Sequence, residues 1–214
     1  MRLVLDIETY SLDDAAAFLE EPTAPANYKD PEKIAAYIEQ QRAKDLSRCA
    51  LDVDLCCLVA IGYTHPVTGA IEVLTMGTET SERSFLRAFW DTVAGHDFIG
   101  FNLLSFDLPV LMRRSQYLGV TNYRDTPVDR YKTPHIDLME RLSFNGKLKY
   151  RGLDFYCKRF GIHVPDATSG ADIDAMVKAN DWAGVTAHCR ADILKTKALA
   201  ERLGVLEPAA QEVA

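Results

Sequence analysis

The chain has 214 residues, of which 48% are hydrophobic and 26% charged, and its net charge is −7. This composition is typical of a globular domain and excludes a disordered or fibrous chain. The five cysteines form no CxxC pair, so we expect reduced thiols rather than disulfides or a zinc site. The N-terminus carries no signal pattern, and no apolar run is long enough to cross a membrane. We therefore expect an intracellular, cytoplasmic protein.

The predicted elements begin with a strand, which the apolar run Leu3–Leu5 indicates. Residues 11–54 then form a predicted insertion with one charged surface helix over about 32–48, capped by Asp30. The section 120–149 is expected to be irregular. The other predicted elements are a hairpin of strands over 55–63 and 71–76, a helix from Ser81 to Gly95, a strand over 98–101, a helix over 107–119, and helices over 152–160, 171–180 and 182–203.

This order of elements predicts a mixed α/β fold in which helices flank one central sheet. No internal repeat and no low-complexity tract divides the chain. We expect residues 1–206 to form a single domain and residues 207–214 to form a frayed tail.

Two carboxylates stand two residues apart at the end of the first predicted strand. Because side chains alternate along a strand, Asp6 and Glu8 are expected to point to the same face. Like charges this close raise each other's pKa, and a cation between them offsets that repulsion. The alternative is that both side chains reach solvent at the end of an edge strand.

Two further motifs carry acids. Asp107 comes after a predicted strand and starts a helix, where it is either an ordinary N-cap or a metal ligand. His188 and Asp192 lie four residues apart on the last helix and therefore on one face of it. For this pair the alternative is a solvated His–Asp interaction. Each motif is weak alone, and their order along the chain makes the set specific.

The motifs are, in chain order, Asp6-x-Glu8, Asn102-x-x-x-Phe106-Asp107 and His188-x-x-x-Asp192. Together they resemble the three motifs of the DEDD superfamily of ribonuclease H-like 3′→5′ exonucleases. The resemblance runs from the first strand to the last helix, and the flanking residues are most similar to exonucleases related to family-B polymerase proofreading domains. It implies a ribonuclease H-like fold and hydrolysis of phosphodiester bonds from the 3′ end of single-stranded DNA.

The same resemblance implies a metal centre with two Mg²⁺ or Mn²⁺ ions. Hard divalent ions prefer oxygen ligands, which agrees with a site made of carboxylates. By the resemblance, Asp6 bridges both ions, Glu8 and Asp192 hold the ion on the nucleophile side, and Asp107 supports the other. Bound cations would also offset part of the net charge of −7, which otherwise opposes a role in nucleic-acid binding.

His188 is where the sequence departs from the family pattern. One branch of the superfamily has a tyrosine four residues before the last aspartate, and the other has a histidine five residues before it. Here a histidine occupies the tyrosine spacing. Imidazole has an ordinary pKa of about 6.5, so we expect His188 to act as a general base for the attacking water.

Other residues carry weaker signals. Thr9 and Asn102 are candidates for contact with the terminal nucleotide or, alternatively, for capping and turn roles, and Phe106 is a candidate for stacking on a base or for the core. His135 and Asp137 are expected to be structural. Basic residues that suit either a phosphate track or simple surface charge are Arg113, Arg114, Arg124, Arg130, Lys132, Lys147, Lys149 and Arg151.

The predicted partner is the 3′ end of a single-stranded nucleic acid, with DNA favoured over RNA. An RNA 3′→5′ exonuclease and a non-catalytic nucleic-acid or protein interaction module of the same fold are the alternatives. The insertion over 11–54 is predicted to flank the substrate cleft or to dock a replication or repair partner. No membrane partner is expected.

Overall fold

The computed structural model describes residues 2–65, 67–77, 81–129 and 131–207. Its strands form one sheet in the order β3-β2-β1-β4-β5. Neighbours β1, β2 and β3 pair antiparallel, whereas β4 pairs parallel with both β1 and β5. The sheet is therefore mixed, as the sequence predicted. The strands are β1 (Arg2–Ser11), β2 (Cys56–Thr64), β3 (Ile71–Thr75), β4 (Asp97–Gly100) and β5 (Ile136–Asp137).

Helices cover both faces of this sheet. Those that the structure describes are α1 (Pro31–Leu46), α2 (Glu82–Thr92), α3 (Asp107–Tyr117), α4 (Leu138–Leu142), α5 (Leu153–Phe160), α6 (Ile173–Lys178) and α7 (Trp182–Arg202). The predicted caps are confirmed, because Asp30 accepts a hydrogen bond from the Glu32 N–H and Ser81 forms a capping box with Ser84.

The alternation of side chains along β1 divides the core in two. Leu3, Leu5 and Ile7 belong to the main apolar cluster, which includes residues of α2 and α3. On the opposite face, residues of β2 pack against α6 and α7 in a second cluster. Because Asp6 and Glu8 alternate with the apolar residues, they point to the face that α7 covers.

Two expectations about the chain are wrong. The section 120–149 is not irregular throughout, since it contains β5 and α4. These elements are two and five residues long, too short to produce a periodic pattern. β1 also continues to Ser11 and lies between β2 and β4, so its acids do not stand at the end of an edge strand.

The predicted insertion contains α1, which has no buried residue, so this helix lies on the surface as expected. The predicted helix over 171–180 is a short 3₁₀ helix, Gly170–Asp172, followed by α6. All five cysteines are free, as predicted. Among the described residues, no helix combines the length and the apolarity that crossing a membrane requires.

Candidate active site

Asp6 and Glu8 meet on β1, the central strand of the sheet. Their carboxylate oxygens and the Cys189 sulfur all lie within 4.8 Å of one another. The prediction that the two carboxylates share a face is therefore confirmed. A β-bulge follows at once, between Glu8 and Thr9, and bulges commonly redirect side chains beside active sites.

Helix α7 approaches the sheet closely enough to add its own polar groups. Gly62 on β2 pairs with Asp6, and a Cβ at this glycine would lie 2.6 Å from the Cys189 sulfur. Gly62 thus allows α7 to pack directly on β2. His188 is 3% exposed, and its Nε2 lies 3.8 Å from Glu8 Oε1. The alternative of a solvated His188–Asp192 pair is therefore wrong.

Asp107 reaches the site from the start of α3. The N-cap of α3 is Phe106, which makes no side-chain capping bond, so the N-cap interpretation of Asp107 is wrong. Asp107 is 4% exposed, and burial raises the pKa of its carboxyl although the N–H groups of Asp107 and Ile7 lower it. Since Ile7 separates Asp6 from Glu8, the third carboxylate lies against the same part of β1.

The site raises the pKa of its own acids. Burial raises the pKa of Asp6 well above its usual value, and the charges of Glu8, Asp107 and Asp192 raise it further. Burial likewise raises the pKa of Glu8, with Asp192 as the largest charge contribution. Burial raises the pKa of Asp107 to about 8, although its own N–H opposes the shift. The charges of neighbouring acids therefore oppose the ionisation of Asp6 and Glu8, and a positive charge between them would offset this repulsion.

Two further residues complete a polar network that the sequence did not predict. Asp166, whose side chain is 6% exposed, lies 3.1 Å from Nδ1 of His188 and accepts a hydrogen bond of 2.8 Å from Lys195. Lys195 also donates to Asp192 at 2.9 Å and lies 3.0 Å from Asp154 Oδ1. The groups of Asp166, His188 and Asp192 lie within 4.8 Å of one another. His188 on α7 therefore has a partner, Asp166, outside its own helix.

Hydrogen bonds within this network explain why Asp166 and Lys195 are charged. Burial raises the pKa of Asp166, but hydrogen bonds from Lys195, Thr168 and His188 outweigh it and hold that pKa well below its usual range. Burial lowers the pKa of Lys195, and its hydrogen bonds to carboxylates reverse this and raise it. Lys195 is thus a fixed cation beside acids that repel one another.

A signal for Lys195 exists in the sequence, whereas none exists for Asp166. Lys195 follows Asp192 by three residues and His188 by seven, which places all three on one helix face. Asp166 lies in a loop, where its local feature is acceptance of hydrogen bonds from the Thr168 N–H and hydroxyl. That local motif is common in turns and does not reveal a distant partner.

Cys189 lies beside the acids without sharing their chemistry. Its thiol is fully buried, and burial together with Asp6 and Glu8 raises its pKa well above the usual value. A thiol that stays protonated is a poor ligand for hard divalent ions. Its place in the site is therefore explained by packing against Gly62.

The three residues predicted to contact substrate surround the acids. The Thr9 hydroxyl donates a 2.6 Å hydrogen bond to the Ala50 carbonyl and so ties the insertion to β1. Asn102 has φ 62°, and its N–H donates to Asp137. Phe106 is partly buried and packs against the main core. Their contact with substrate stays a prediction.

His135 and Asp137 have structural partners, in line with expectation. His135 Nδ1 accepts a hydrogen bond from the Phe98 N–H, and its Nε2 lies 3.0 Å from the Thr126 hydroxyl. Asp137 accepts hydrogen bonds from the N–H groups of Asn102 and Leu104 and caps α4. Asp137 thereby holds the loop that leads into Asp107.

The basic residues proposed for a phosphate track separate into two groups. Arg114 is buried in an ion pair with Glu82, so it does not line such a track. Arg113 pairs with Asp54 and Arg124 with Asp97, both on the surface. Arg130 lies outside the described residues. The exposed members are Lys132, Lys147, Lys149 and Arg151.

Comparison with known proteins identifies a family and a similar fold. The profile of a family described as "Predicted 3'-5' exonuclease related to the exonuclease domain of PolB" matches residues 50–209, a span that begins after β1. Among solved structures, the family B DNA polymerase from the hyperthermophilic archaeon Pyrobaculum calidifontis is similar, with a TM-score of 0.63, 20% sequence identity, and coverage of 94% of this chain and 24% of that chain. This likeness shows the fold, which is ribonuclease H-like. A search of curated proteins finds no match.

Proposed function

This chain belongs to the family of predicted 3′-5′ exonucleases related to the exonuclease domain of PolB, and we propose that it hydrolyses phosphodiester bonds from the 3′ end of single-stranded DNA. One observation carries the proposal. Carboxylate oxygens of Asp6 and Glu8 lie within 4.8 Å of each other, and the charge of Asp107 raises the pKa of both, so these negative charges are poorly compensated. Carboxylates that repel one another do not stabilise the fold, and a bound cation offsets their repulsion. The arrangement is therefore suited to binding cations.

The residues present fit hard divalent cations such as Mg²⁺ or Mn²⁺. All four ligand candidates, Asp6, Glu8, Asp107 and Asp192, offer carboxylate oxygens, which these ions prefer. Burial and then the charge of Asp137 raise the pKa of Asp107 to about 8, so a positive charge beside this carboxyl would favour its ionised form. Two ions would be held here, and when bound they would lower the pKa of a water molecule and offset charge on the phosphate.

We assign the proton-accepting role to His188. Its Nδ1 is 3.1 Å from Asp166 Oδ2 and 3.2 Å from the Thr168 hydroxyl. A proton on Nδ1 that is donated to Asp166 leaves the lone pair on Nε2, which faces Glu8. Asp166 thus sets the tautomer and the orientation of the ring. A tyrosine, with a pKa of about 10, would orient the water without removing its proton at neutral pH.

Lys195 has a supporting role in this proposal. Its ammonium group lies between Asp166 and Asp192, at 2.8 and 2.9 Å. It therefore holds Asp192 in the orientation in which that carboxylate faces the site, and it reduces the repulsion among the acids. We expect Lys195 to keep motif three ordered before any cation binds.

The central test is hydrolysis of oligothymidylate labelled at either end, in Mg²⁺, in Mn²⁺ or in EDTA. We expect a 3′ label to appear at once as mononucleotide and a 5′ label to shorten stepwise. EDTA and Asp6→Asn should each abolish hydrolysis. Asp174→Asn, which changes an exposed acid paired with Lys178, is the matched control and should keep full activity. Absence of hydrolysis in both ions would overturn the proposal and favour the interaction module.

The role of His188 has its own test. His188→Ala should lower kcat by about 10²–10⁴-fold, the usual contribution of a general base, and should remove the pH dependence of the rate that a general base confers. His188→Tyr restores the tyrosine spacing and should recover part of the rate without that pH dependence. An alanine variant with the parental rate and pH profile would rule out this role.

An RNA 3′→5′ exonuclease is the second candidate, since the same acids would cleave the same bond. Rates on oligothymidylate and oligouridylate of equal length decide between them. For the insertion we propose a place beside the cleft or a docked replication or repair partner, because α1 has no buried residue and only its face with Ile34, Tyr37 and Ile38 is half-buried. Deleting residues 11–54 and measuring substrate length preference tests this, and unchanged kinetics on all lengths would contradict it. A cytoplasmic location stays a prediction.

A further inference from the structure

Residues 141–159, called here the basic segment, carry a net positive charge, opposite in sign to the net charge of the chain. They contain one acid, Asp154, and six basic residues, so they carry a net charge of +5 in a chain of −7. All six are exposed, and none of them forms an ion pair with another described residue. The basic members are Arg141, Lys147, Lys149, Arg151, Lys158 and Arg159. Such separation of charge marks a binding surface for an anionic partner.

Aromatic side chains alternate with these cations. Phe144 is 64% exposed, and Tyr150 and Phe155 are 42% and 43% exposed. The Arg151 guanidinium lies 4.9 Å from the centroid of the Phe155 ring. Cations interleaved with exposed rings are the combination that binds single-stranded nucleic acid, since the cations contact phosphates and the rings stack on bases.

The backbone holds Phe144 outward at an energetic cost. Phe144, Asn145 and Gly146 have φ of 53°, 58° and 80°, in the left-handed region that a bulky residue rarely adopts. The turn is fixed by hydrogen bonds from the Gly146 N–H to the Ser143 hydroxyl and from the Leu148 N–H to the Ser143 carbonyl. A strained aromatic residue that remains exposed is typical of a functional position rather than of the core.

The basic segment borders the candidate active site at both ends. Arg141, Phe144 and Lys147 line a groove of about 530 Å³ together with Leu104, three residues before Asp107. At the other end, Asp154 lies 3.0 Å from Lys195, whose ammonium group contacts Asp192. A nucleic-acid strand that follows this segment therefore runs past Asp107 and past the His188–Asp192 motif.

We propose that the basic segment binds the single-stranded nucleic acid just upstream of its 3′-terminal nucleotide. Lys147, Lys149 and Arg151 contact phosphates, and Phe144 stacks on a base. The occupant follows from charge complementarity, because this surface carries a net charge of +5 on an otherwise acidic molecule and therefore attracts a polyanion. The proposal rests on the proposed function, and it explains how an acidic protein retains a nucleic-acid substrate.

The test measures binding and hydrolysis separately. Binding of a fluorescein-labelled oligothymidylate of about twelve nucleotides, within the usual site size, is followed by anisotropy in EDTA over a range of salt concentrations. Phe144→Ala should weaken binding by about 5- to 100-fold, the effect of losing one stacked base. The double variant Lys147→Gln/Lys149→Gln should weaken binding and reduce the salt slope by about 1.4, or 0.7 for each lost phosphate contact.

The double variant Arg83→Gln/Arg87→Gln is the matched control, because it removes the same charge from exposed positions on α2. It should bind the oligonucleotide like the parent. A small ester, the p-nitrophenyl ester of thymidine 5′-monophosphate, reports on the acids alone, and the Arg83→Gln/Arg87→Gln control should hydrolyse it at the parental rate. Oligonucleotide binding equal to the parent in both basic-segment variants would overturn the proposal. A parent that hydrolyses neither substrate would instead contradict the proposed function, while anisotropy would still decide the binding surface.

Discussion

Asp137 on β5 and Asp6 on β1 are separated by β4, and their surroundings are opposite. The Asp137 carboxylate accepts hydrogen bonds from four backbone N–H groups, those of Asn102, Leu104, Met139 and Glu140. Burial raises its pKa, and each of these donors lowers it. For Asp6 the largest effects after burial are the charges of other acids, and these raise its pKa further. Hydrogen bonds within the fold stabilise the negative charge of Asp137, whereas neighbouring acids disfavour the negative charge of Asp6.

This difference separates structural acids from functional ones. A buried carboxylate with several donors stabilises the loops that supply them, as Asp137 does for the approach to Asp107. A second compensated case is Glu82, which accepts two hydrogen bonds from Arg114, at 2.8 and 2.7 Å, and one from the Leu58 N–H. A group of buried carboxylates without such partners indicates that a component from outside the chain supplies the compensation.

The largest expected effect comes from Asp107→Asn. Loss of a carboxylate ligand should lower kcat/KM by a factor on the order of 10³, or about 4 kcal/mol in the transition state. The folded pKa of about 8 lies above the usual value, so wild-type stability in EDTA is lost as pH rises from about 4 towards 8. The variant escapes this loss and should be more stable in EDTA at pH 8 by at least about 1.4 kcal/mol, the value of one pKa unit.

Urea unfolding of both proteins, in EDTA and in Mn²⁺, measures this gain. Mn²⁺ should stabilise the wild type and not the variant, so the order of stability should reverse. Asp174→Asn is the exposed-acid control. A destabilised Asp107→Asn protein in EDTA would show that the acids of the site are compensated after all.

The opposite sign is expected for Asp137→Asn. The amide keeps one acceptor oxygen, and its NH₂ group faces N–H donors of the Asn102–Leu104 loop. We expect a loss of about 3 kcal/mol in the free energy of unfolding, with or without Mn²⁺, since hydrogen bonds to a charged acceptor are the strong ones. Activity should fall because the loop leads into Asp107. Equal stabilities of wild type and variant in urea unfolding would contradict the structural role.

His135 is a buried neutral group that, like Asp137, has its hydrogen-bond partners within the fold. Burial is the main cause that lowers its pKa to about 4, and its Nδ1 accepts the Phe98 N–H only while unprotonated. The folded value lies below the usual one, so the unfolded chain binds the proton first and stability falls as pH drops from about 6.5 to 4. The expected loss is about 2–3 kcal/mol. Urea titrations at several pH values measure it, and His135→Gln should lack this component.

The smallest expected effect disturbs the site without changing an acid. Gly62→Ala places a methyl group 2.6 Å from the Cys189 sulfur and should push α7 away from β2. We expect a loss of about 1–2 kcal/mol in stability from overpacking. Activity should fall more than stability predicts, since His188 and Asp192 move with the helix. The double variant Gly62→Ala/Cys189→Ala should recover both, and failure of this rescue in assays of activity and urea unfolding would place the effect elsewhere.

The sequence by itself determined the elements with strong local signals. Alternation along β1 placed Asp6 and Glu8 on one face, and helical spacing placed His188 and Asp192 on one side of α7. It did not reveal β5 and α4, which are too short for a periodic pattern, and β5 also depends on pairing with β4. It also left Arg114 open to a phosphate track or to surface charge, whereas Glu82 holds it in the interior.

What only the tertiary structure decided is how the acids are compensated. Local patterns report which face a side chain occupies, because backbone geometry repeats along an element. They do not report what a distant segment brings to that face. Asp166 reaches His188 from 22 residues away, and Asp137 reaches Leu104 from 33 residues away. The pKa of a buried carboxylate depends on such neighbours, so the distinction between a structural acid and a cation ligand appears only once the chain is folded.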